Sequence, residues 1–415
     1  MVRANALFIV LVISLLVALI SSSLILVSYH YSTVHYQTRL YKRLLSNAQS
    51  GINYLLAEEG EVSLNEEIII DLYGKENDSV ALKRMNWGVF DLAVVRAFSG
   101  NQQVIRILEY GYKPDAETKS AIYMADLNRP LSLCGNTVIK GTCYLPESGV
   151  RRDYIEGQSF MGDKLIQGEI KKSKNSLPEL KKDIKEKLLS LLEDKLNLDE
   201  FEQLQELDID TVRRSFTEKT LLLKQKTHLS IKNLYGNILI TSDTILKIGR
   251  DANLEDVIIA ARAVEIESGF KGKLQIFAVD SVLLGENVEL NYPSVIGLFK
   301  KDFKVMQPFI KVSKGGKVNG IVFSSQSVFD LKQTLISIEK DAFLHGQLYS
   351  DGFADIQGKV YGSVFCNKFR LKTSSSLYEN YLLNTTIDAT KLSPYFIESA
   401  LLSSEKKKRV IKWLN

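Results

Sequence analysis

Twenty-five consecutive residues, from Ala4 to Ser28, carry no charged side chain. A helix needs about 20 apolar residues to cross a bilayer, and Leu7-Phe8-Ile9-Val10-Leu11-Val12-Ile13 through Leu24-Ile25-Leu26-Val27 supplies them. A cleaved secretory signal has a shorter apolar region, roughly 7–15 residues, ending at a small-x-small site. Here the run is longer and passes without a turn residue into Tyr29-His30-Tyr31-Ser32-Thr33-Val34-His35-Tyr36. The expectation is a retained single-pass anchor, with the lipid bilayer as its partner through residues 4–28.

Helical character continues to about Ala57. Val34, Tyr41, Leu44, Leu45, Ala48, Ile52, Leu55 and Leu56 recur at three- and four-residue steps, and Arg39, Lys42, Arg43, Asn47 and Asn53 occupy much of the other surface. The first break is Gly60. This layout of short leader, apolar segment and amphipathic stalk resembles the amino-terminal region of type IV pilins, in particular minor pilin-like proteins with degenerate starts. A processed prepilin has a Gly before its cleavage point and a Glu five residues later, whereas this chain has Asn5-Ala6-Leu7-Phe8 and no acid before Glu58. The resemblance implies a β-rich head beyond the stalk, a pilus-like or secretion-related role, and other pilin-like or envelope proteins as partners.

Orientation is read from the flanking cations. Arg3 and the terminal amine lie on one side; Arg39, Lys42 and Arg43 lie 11 to 15 residues beyond the other and favour the reverse. A short amino end is easily left inside, and large following domains cross largely regardless of charge. The body is therefore expected in the periplasm or outside the cell.

The strongest internal regularity begins near Asn237. Segments starting at Ile240, Ile259, Phe277, Phe323, Tyr349 and Phe365 each carry an apolar anchor, two small or polar residues, a short turn and a second apolar strand, at spacings of 19, 18, 46, 26 and 16 residues. The gap of 46 leaves space for one more turn around Val295-Ile296-Gly297-Leu298-Phe299. Short strands at this period, without helices between them, predict a coiled parallel sheet in which stacked turns share one core. Gly320, Gly346 and Gly362 open three of the strands and predict a recurring corner. These turns resemble the polymer-forming β-helix of bactofilins. The fold class expected is mainly β: a long amino-terminal transmembrane and stalk helix, a small antiparallel meander, and a parallel β-helix-like body with a helical insertion.

The expected divisions are 1–60, anchor and stalk; 61–116, meander; 117–175, first part of the β body; 176–210, helical insertion; 211–376, β-helix-like repeats; and 377–415, cap and basic tail. The meander is read as strands at Glu67–Tyr73, Trp87–Phe98 and Gln103–Tyr110 with a turn at Ser99-Gly100-Asn101. The insertion is read as a helix from Leu177 to Leu207, with Ser176 as cap, Pro178 in the first turn, and Leu180, Ile184, Leu188, Leu191 and Leu192 as its apolar stripe. Ser393–Leu402 is expected to cover the last turn of the coil. In Glu405–Asn415, the one dense basic run, Val410, Ile411, Trp413 and Leu414 are expected to pack back.

No catalytic, cofactor or metal residue is assigned. A net charge of +4 from 53 basic and 49 acidic residues is too balanced for a nucleic-acid partner. Cys134 and Cys143 can close a small loop or remain as unpaired strand residues, and Cys366 reads as packing. His30, His35, His228 and His345 are scattered, no two-cysteine zinc pair occurs, and neither a phosphate-binding glycine loop nor a Gly-x-Ser-x-Gly elbow is present.

Aligning the repeats puts Asp243, Arg262, Asp280, Gln326 and Lys368 near one turn position. Rungs about 4.8 Å apart would set Asp243 and Asp280 about 9.6 Å apart, near the inverting-glycosidase range. The intervening Arg262 keeps both carboxylates ionised and leaves no acid. The reading is thus a non-enzymatic, membrane-anchored envelope or surface protein that binds or assembles, with envelope polysaccharide as a further candidate partner. The alternatives are a cytoplasm-facing bactofilin-like scaffold and, last, a β-helical polysaccharide-acting enzyme.

Overall fold

The computed structural model describes residues 2–57, 63–72, 74, 79–193, 196–204, 210–302, 306–327, 330–402 and 407–414. It is mainly β, with one long helix, an antiparallel sheet, a coiled parallel body and a short second helix. The chain divides into two compact units, Met1–Arg84 with Ala93–Arg106, and Met85–Leu92 with Ile107–Asn415.

In the first unit, α1 (Val2–Leu56) is one continuous helix of 55 residues, about 80 Å long at 1.5 Å per residue. From Ala6 to Arg39 every side chain except Thr33 is exposed. Burial begins at Leu40 and follows Leu44, Ala48, Ile52 and Leu55, the i, i+4 stripe of an amphipathic helix. Val34 and Tyr41, expected on that stripe, are instead 45% and 52% exposed. Tyr41 lies about 100° round the helix from Leu40, and Val34 lies beyond the first buried turn. Gly51 lets the helix lie close against the sheet: a Cβ there would stand 2.7 Å from Val80 and 3.1 Å from Val95. The expected break at Gly60 lies outside the described residues.

Four strands, β1 (Glu67–Asp71), β2 (Ser79–Trp87), β3 (Phe90–Ser99) and β4 (Gln102–Tyr112), form an antiparallel sheet with the terminal strand Lys408–Trp413 added beside β4. β1 pairs with β2 from Glu67 opposite Lys83 to Asp71 opposite Ser79. Tyr73, expected in β1, lies outside the described residues. The single strand expected over Trp87–Phe98 is two, because Gly88 at φ 61° turns the chain between β2 and β3. Gln275 closes this turn within the second unit, accepting from Val89 N at 3.0 Å and donating to Trp87 O at 2.9 Å. The turn expected at Ser99–Asn101 is present, with Gly100 at φ 56°.

The second unit coils. Ile240, Ile259, Ile276, Ile296, Val322, Leu348, Val364, Ile122 and Cys143 stand in one parallel register column. All nine belong to the shared core. The expected extra turn near Val295–Phe299 is there, in the strand Glu289–Lys300. The expected alignment holds from Ile240 to Ile259 and again among Phe323, Tyr349 and Phe365, but the step between the two sets is one residue out: Phe277 pairs with Ala260, which pairs with Thr241. A one-residue shift moves a side chain to the other face of a strand. Phe277, Phe323, Tyr349, Phe365, Tyr123 and Tyr144 therefore form an outward column beside the inward aliphatic one.

Chain order and stacking order differ. The strand Lys359–Lys372 carries Ile122–Met124 on its far side, followed by Cys143–Leu145 and Ile170–Lys172. At the other end, Phe201–Gln203 lies on Thr220–Lys224, which lies on Ile238–Ile248. Residues of the 117–175 region thus stack beyond the 211–376 repeats, at the opposite end from Phe201–Gln203. The segment joining these ends contains α2 (Lys182–Leu192), which buries Ile184 and Leu188 and packs against Asn253–Ile266 and Lys271–Leu284.

This helix is shorter than the expected Leu177–Leu207, whose last three residues lie outside the described ones. Ser176 is not its cap; Lys181 holds that position without a side-chain cap bond. Pro178 disfavours helix at Leu177, and the preceding segment runs against the body, with Pro178 O accepting from the Tyr349 hydroxyl at 2.9 Å and Lys181 N donating to Leu401 O.

The tail also departs from expectation. Ser393–Leu402 does not cover the last turn; it lies along the flank, where Glu398 exchanges backbone hydrogen bonds of 2.8 and 2.9 Å with Tyr112 and the Tyr292 hydroxyl donates to Ile397 O. The physical reason is that the last strand in space is Ile170–Lys172, so the rung at residue 372 has no free edge to cover. Tyr381–Leu383 and Thr386–Asp388 are themselves ladder strands, on Leu131–Cys134 and Val138–Lys140. In the basic run, Glu405, Lys406 and Asn415 lie outside the described residues; Leu414 is buried, Val410 and Ile411 are half-buried, and Trp413 is exposed.

Candidate functional site

Arg262 and Asp280 do meet on adjacent turns of the coil, with Arg262 Nε donating to Asp280 Oδ2 at 2.6 Å. The register places Asp243 at the same corner one turn earlier, exposed. Gln326 and Lys368 do not join them. Gln326 is buried and ties the corner together, accepting from Thr334 N and donating to Asp351 O. Lys368 pairs with Glu379 at 3.2 Å and lies over the Phe353 ring. Similar rung-to-rung pairs run along the coil: Lys247 with Glu265, Lys271 with Glu289, and Lys273 with Glu255. In the Arg262–Asp280 pair the cation neutralises the carboxylate that acid catalysis would need protonated.

Among the described residues a more strongly perturbed carboxylate lies elsewhere. Glu109, on β4 in the second unit, is 2% exposed, and burial raises it from 4.5 to about 7 against the attraction of Lys412, whose Nζ stands 3.2 Å away. Lys412 also binds Asp256, and Lys273 bridges Asp256 at 3.3 Å and Glu255 at 2.6 Å. Burial likewise raises Asp351, despite donation from Gln326 N and the Tyr349 hydroxyl, and raises Asp355, which Gln357 contacts at 3.1 Å. Asp351 sits in a tie between neighbouring strands, and Asp355 bonds locally at the end of its own strand.

Nucleophile and metal chemistry find little purchase. The three cysteines are free and buried. Cys134 lies with Ile155 and Leu371, whereas Cys143 is in the main core, so the candidate Cys134–Cys143 loop is not closed. Burial pushes Cys134 to about 11 and Cys143 to about 12, and raises Cys366 well above its ordinary value, which keeps all three as thiols. His30, His35 and His228 are exposed, and His345 is half-buried beside Phe343 and Tyr361. Among the described residues no group of three or more His, Cys, Asp or Glu side chains is placed to hold a metal ion.

Two further features remain. One is the apolar part of α1: among the described residues it is the one helix long and apolar enough to cross a membrane, with mean hydropathy 2.9 over 18 residues, none of them buried. The other is a cavity of about 160 Å³ in the second unit whose lining includes Lys113, Lys119 and Arg409, the first half-buried and the other two exposed. Of those three the sequence marked only Arg409, within the basic run; nothing joined it to Lys113 and Lys119, because most of the coil separates them and no local motif links them.

No protein-family model matches the chain, and no curated protein matches it. Among solved structures it is similar to the competence-associated pilin ComZ from Thermus thermophilus, at 10% identity, covering 89% of this chain and 96% of that one, with a TM-score of 0.21. At that score the likeness carries no argument.

Proposed function

We propose that the chain is a non-enzymatic, single-pass membrane-anchored envelope or surface protein whose coiled body binds or assembles outside the cytoplasm. The observation that carries this reading is the unburied apolar stretch of α1. An exposed run of Leu, Ile, Val and Phe from Leu7 to Val27 forfeits about 25 cal/mol per Å² if left in water, and a bilayer relieves that cost. Tyr29, Tyr31 and Tyr36 follow it, all exposed, and suit the headgroup level where amphipathic rings gather. Eleven further residues, 29–39, precede the first buried position at Leu40, a free span of about 16 Å at 1.5 Å per residue.

The body offers binding surface rather than a reaction: its corner carboxylate is ion-paired and its thiols are held protonated. A second reading, a cytoplasm-facing scaffold of bactofilin type, is favoured by Arg39, Lys42 and Arg43 beyond the apolar run. Carboxyl-terminal fusions of the full chain to a reporter active only outside the cytoplasm, and to one active only inside, separate the two. Signal from the outside reporter alone is expected; signal from the inside reporter alone sinks the leading reading. Leu15→Arg with Leu16→Arg should release the protein from the membrane fraction, since each cation costs about 3 kcal/mol at the bilayer centre.

A further inference from the structure

We propose that the cavity formed by Lys113, Lys119 and Arg409 binds an acidic sugar unit of an anionic polysaccharide, with the adjoining aromatic strip supporting the next unit. The cavity, about 160 Å³, is below the roughly 300–1,000 Å³ of whole-ligand clefts, so it takes one residue of a polymer rather than a cofactor. Its wall is mixed. Leu392, Pro394 and Phe396 supply apolar surface, and the three cations supply positive charge. A uronate or phosphorylated sugar has this same division, with C–H faces and one anionic group.

The cations are uncommitted. Among the described residues none of Lys113, Lys119 and Arg409 forms an ion pair, while the carboxylates of the turns that carry the wall are engaged locally. Asp115 accepts from Glu117 N at 2.8 Å and Thr118 N at 2.7 Å. Asp388 accepts from Thr390 N and its hydroxyl at 3.0 and 2.6 Å. The wall is also held before any ligand arrives: Arg409 stands opposite Gly111 in the terminal strand pairing, Lys113 N donates to Lys407 O, and Phe396 N donates to Ser393 O. The backbone that carries the three cations is thus ordered by the fold itself, which limits the ordering cost of binding to their side chains.

The strip adjoins the cavity round one corner of the coil. Phe396 reaches within 3.1 Å of where a Gly346 Cβ would stand, and His345, next in sequence, packs on Tyr361 at 5.0 Å between ring centroids. Lys391, one residue before cavity-lining Leu392, holds its ammonium 4.4 Å from the Tyr361 centroid. Adjacent strands here are about 4.8 Å apart, close to the rise of one sugar unit, so rings and cations on successive turns match a chain of such units. A duplex nucleic acid needs a stripe of phosphate contacts rather than one small cavity.

This deepens the envelope reading and rests on it only for which glycan is met; the test is made in solution and stands or falls independently of membrane orientation. Full-length protein in detergent micelles is titrated with a fluorescent galacturonate oligosaccharide and with a neutral dextran oligosaccharide of equal length. Uronate is expected to bind, with affinity falling as salt rises, and dextran is not. Lys119→Ala with Arg409→Ala should weaken uronate binding about tenfold or more without altering thermal unfolding, while Lys182→Ala with Lys226→Ala, the same change in net charge elsewhere, leaves it within about twofold. Tyr361→Ala should weaken it about threefold. Equal binding of dextran, equal loss in both double variants, or full competition by millimolar inorganic phosphate would each overturn the proposal. So would binding to nanodiscs of anionic lipid that depends on Lys119 and Arg409 where uronate does not bind, which would assign the site to a headgroup.

Discussion

Two corners of the coil obey opposite rules. At the first, Gly320, Gly346 and Gly362 stack in register at φ 148°, 145° and 150°. A Cβ on Gly346 would lie 1.9 Å from Gly320 O, and one on Gly362 1.8 Å from Gly346 O. At the second, the chain leaves the ladder between Lys300 and Phe309 and again between Gln326 and Leu335, and returns in register both times. Through these three turns the first corner is made by backbone touching backbone, which fixes the residue type. The second is made by side chains that bridge the two excursions: Lys300 reaches Asp330 and Lys332 O, and Gln307 Nε2 donates to Gln333 O.

The first corner extends to earlier turns in another form. Asp256 falls in the register break between Glu255 and Val257 at φ 63°. Aspartate tolerates this left-handed conformation better than most residues. Its carboxylate is held by Lys412 and Lys273, so charge does there what the absence of a side chain does at Gly346.

The sharpest way to break the comparison is Gly346→Ala. Strain at positive φ and the carbonyl clash together should cost about 4 kcal/mol or more, read as a shifted denaturant midpoint or as failure to fold. A loss below about 1 kcal/mol would mean that this corner has slack. At the second corner, Asp330→Ala leaves the wholly buried Lys300 amine without its carboxylate and should cost about 3 kcal/mol at neutral pH. Adding Lys300→Met should recover most of that loss, because an apolar chain needs no counter-charge; a double variant as unstable as the single one would count against the ion pair as the cause.

Glu109 sharpens the extension to Asp256. Its folded-state value of about 7, against 4.5 otherwise, means that the native protein holds this proton more tightly than the unfolded chain does. The stability from Glu109 is therefore complete below about pH 4.5 and is lost as pH rises through 7, by up to about 3 kcal/mol. Glu109→Gln should flatten that part of the stability profile measured from pH 4 to 8, and an unchanged slope would assign it to another group. The smallest effect is expected at the exposed rung pair: Arg262→Ala or Asp280→Asn should leave the denaturant midpoint nearly unchanged.

Much of this architecture could be read along the chain. The glycine triplet was visible because backbone contact leaves no alternative residue, and its predicted corner is where Gly320, Gly346 and Gly362 stack. The repeat was visible too, but its phase was not. Ile240-Thr241 and Ile276-Phe277 each put one apolar residue inside, yet Phe277 outside is also buried, so apolarity alone cannot tell the two faces apart. Trp87–Phe98 failed for a related reason: both strands around Gly88 are rich in buried residues, and a single turn glycine hardly interrupts the pattern. Of the cations at residues 113, 119 and 409 only Arg409 stood out, within the basic run; the shared cavity left no trace, since it depends on the terminal strand pairing with β4.

What the sequence determined by itself is whatever local spacing enforces: an uncharged helix of membrane length, a stripe that buries from Leu40 onward, short strands recurring at the period of a coil, and a corner where only glycine fits. The tertiary structure decided the order of assembly, with the 117–175 strands stacked beyond the later repeats, α2 carrying the chain between the ends, and the tail laid on the flank. The physical reason is that one parallel strand edge offers the same backbone donors and acceptors as another. Local sequence makes the edges; only the burial and hydrogen bonding of the whole unit select which two meet.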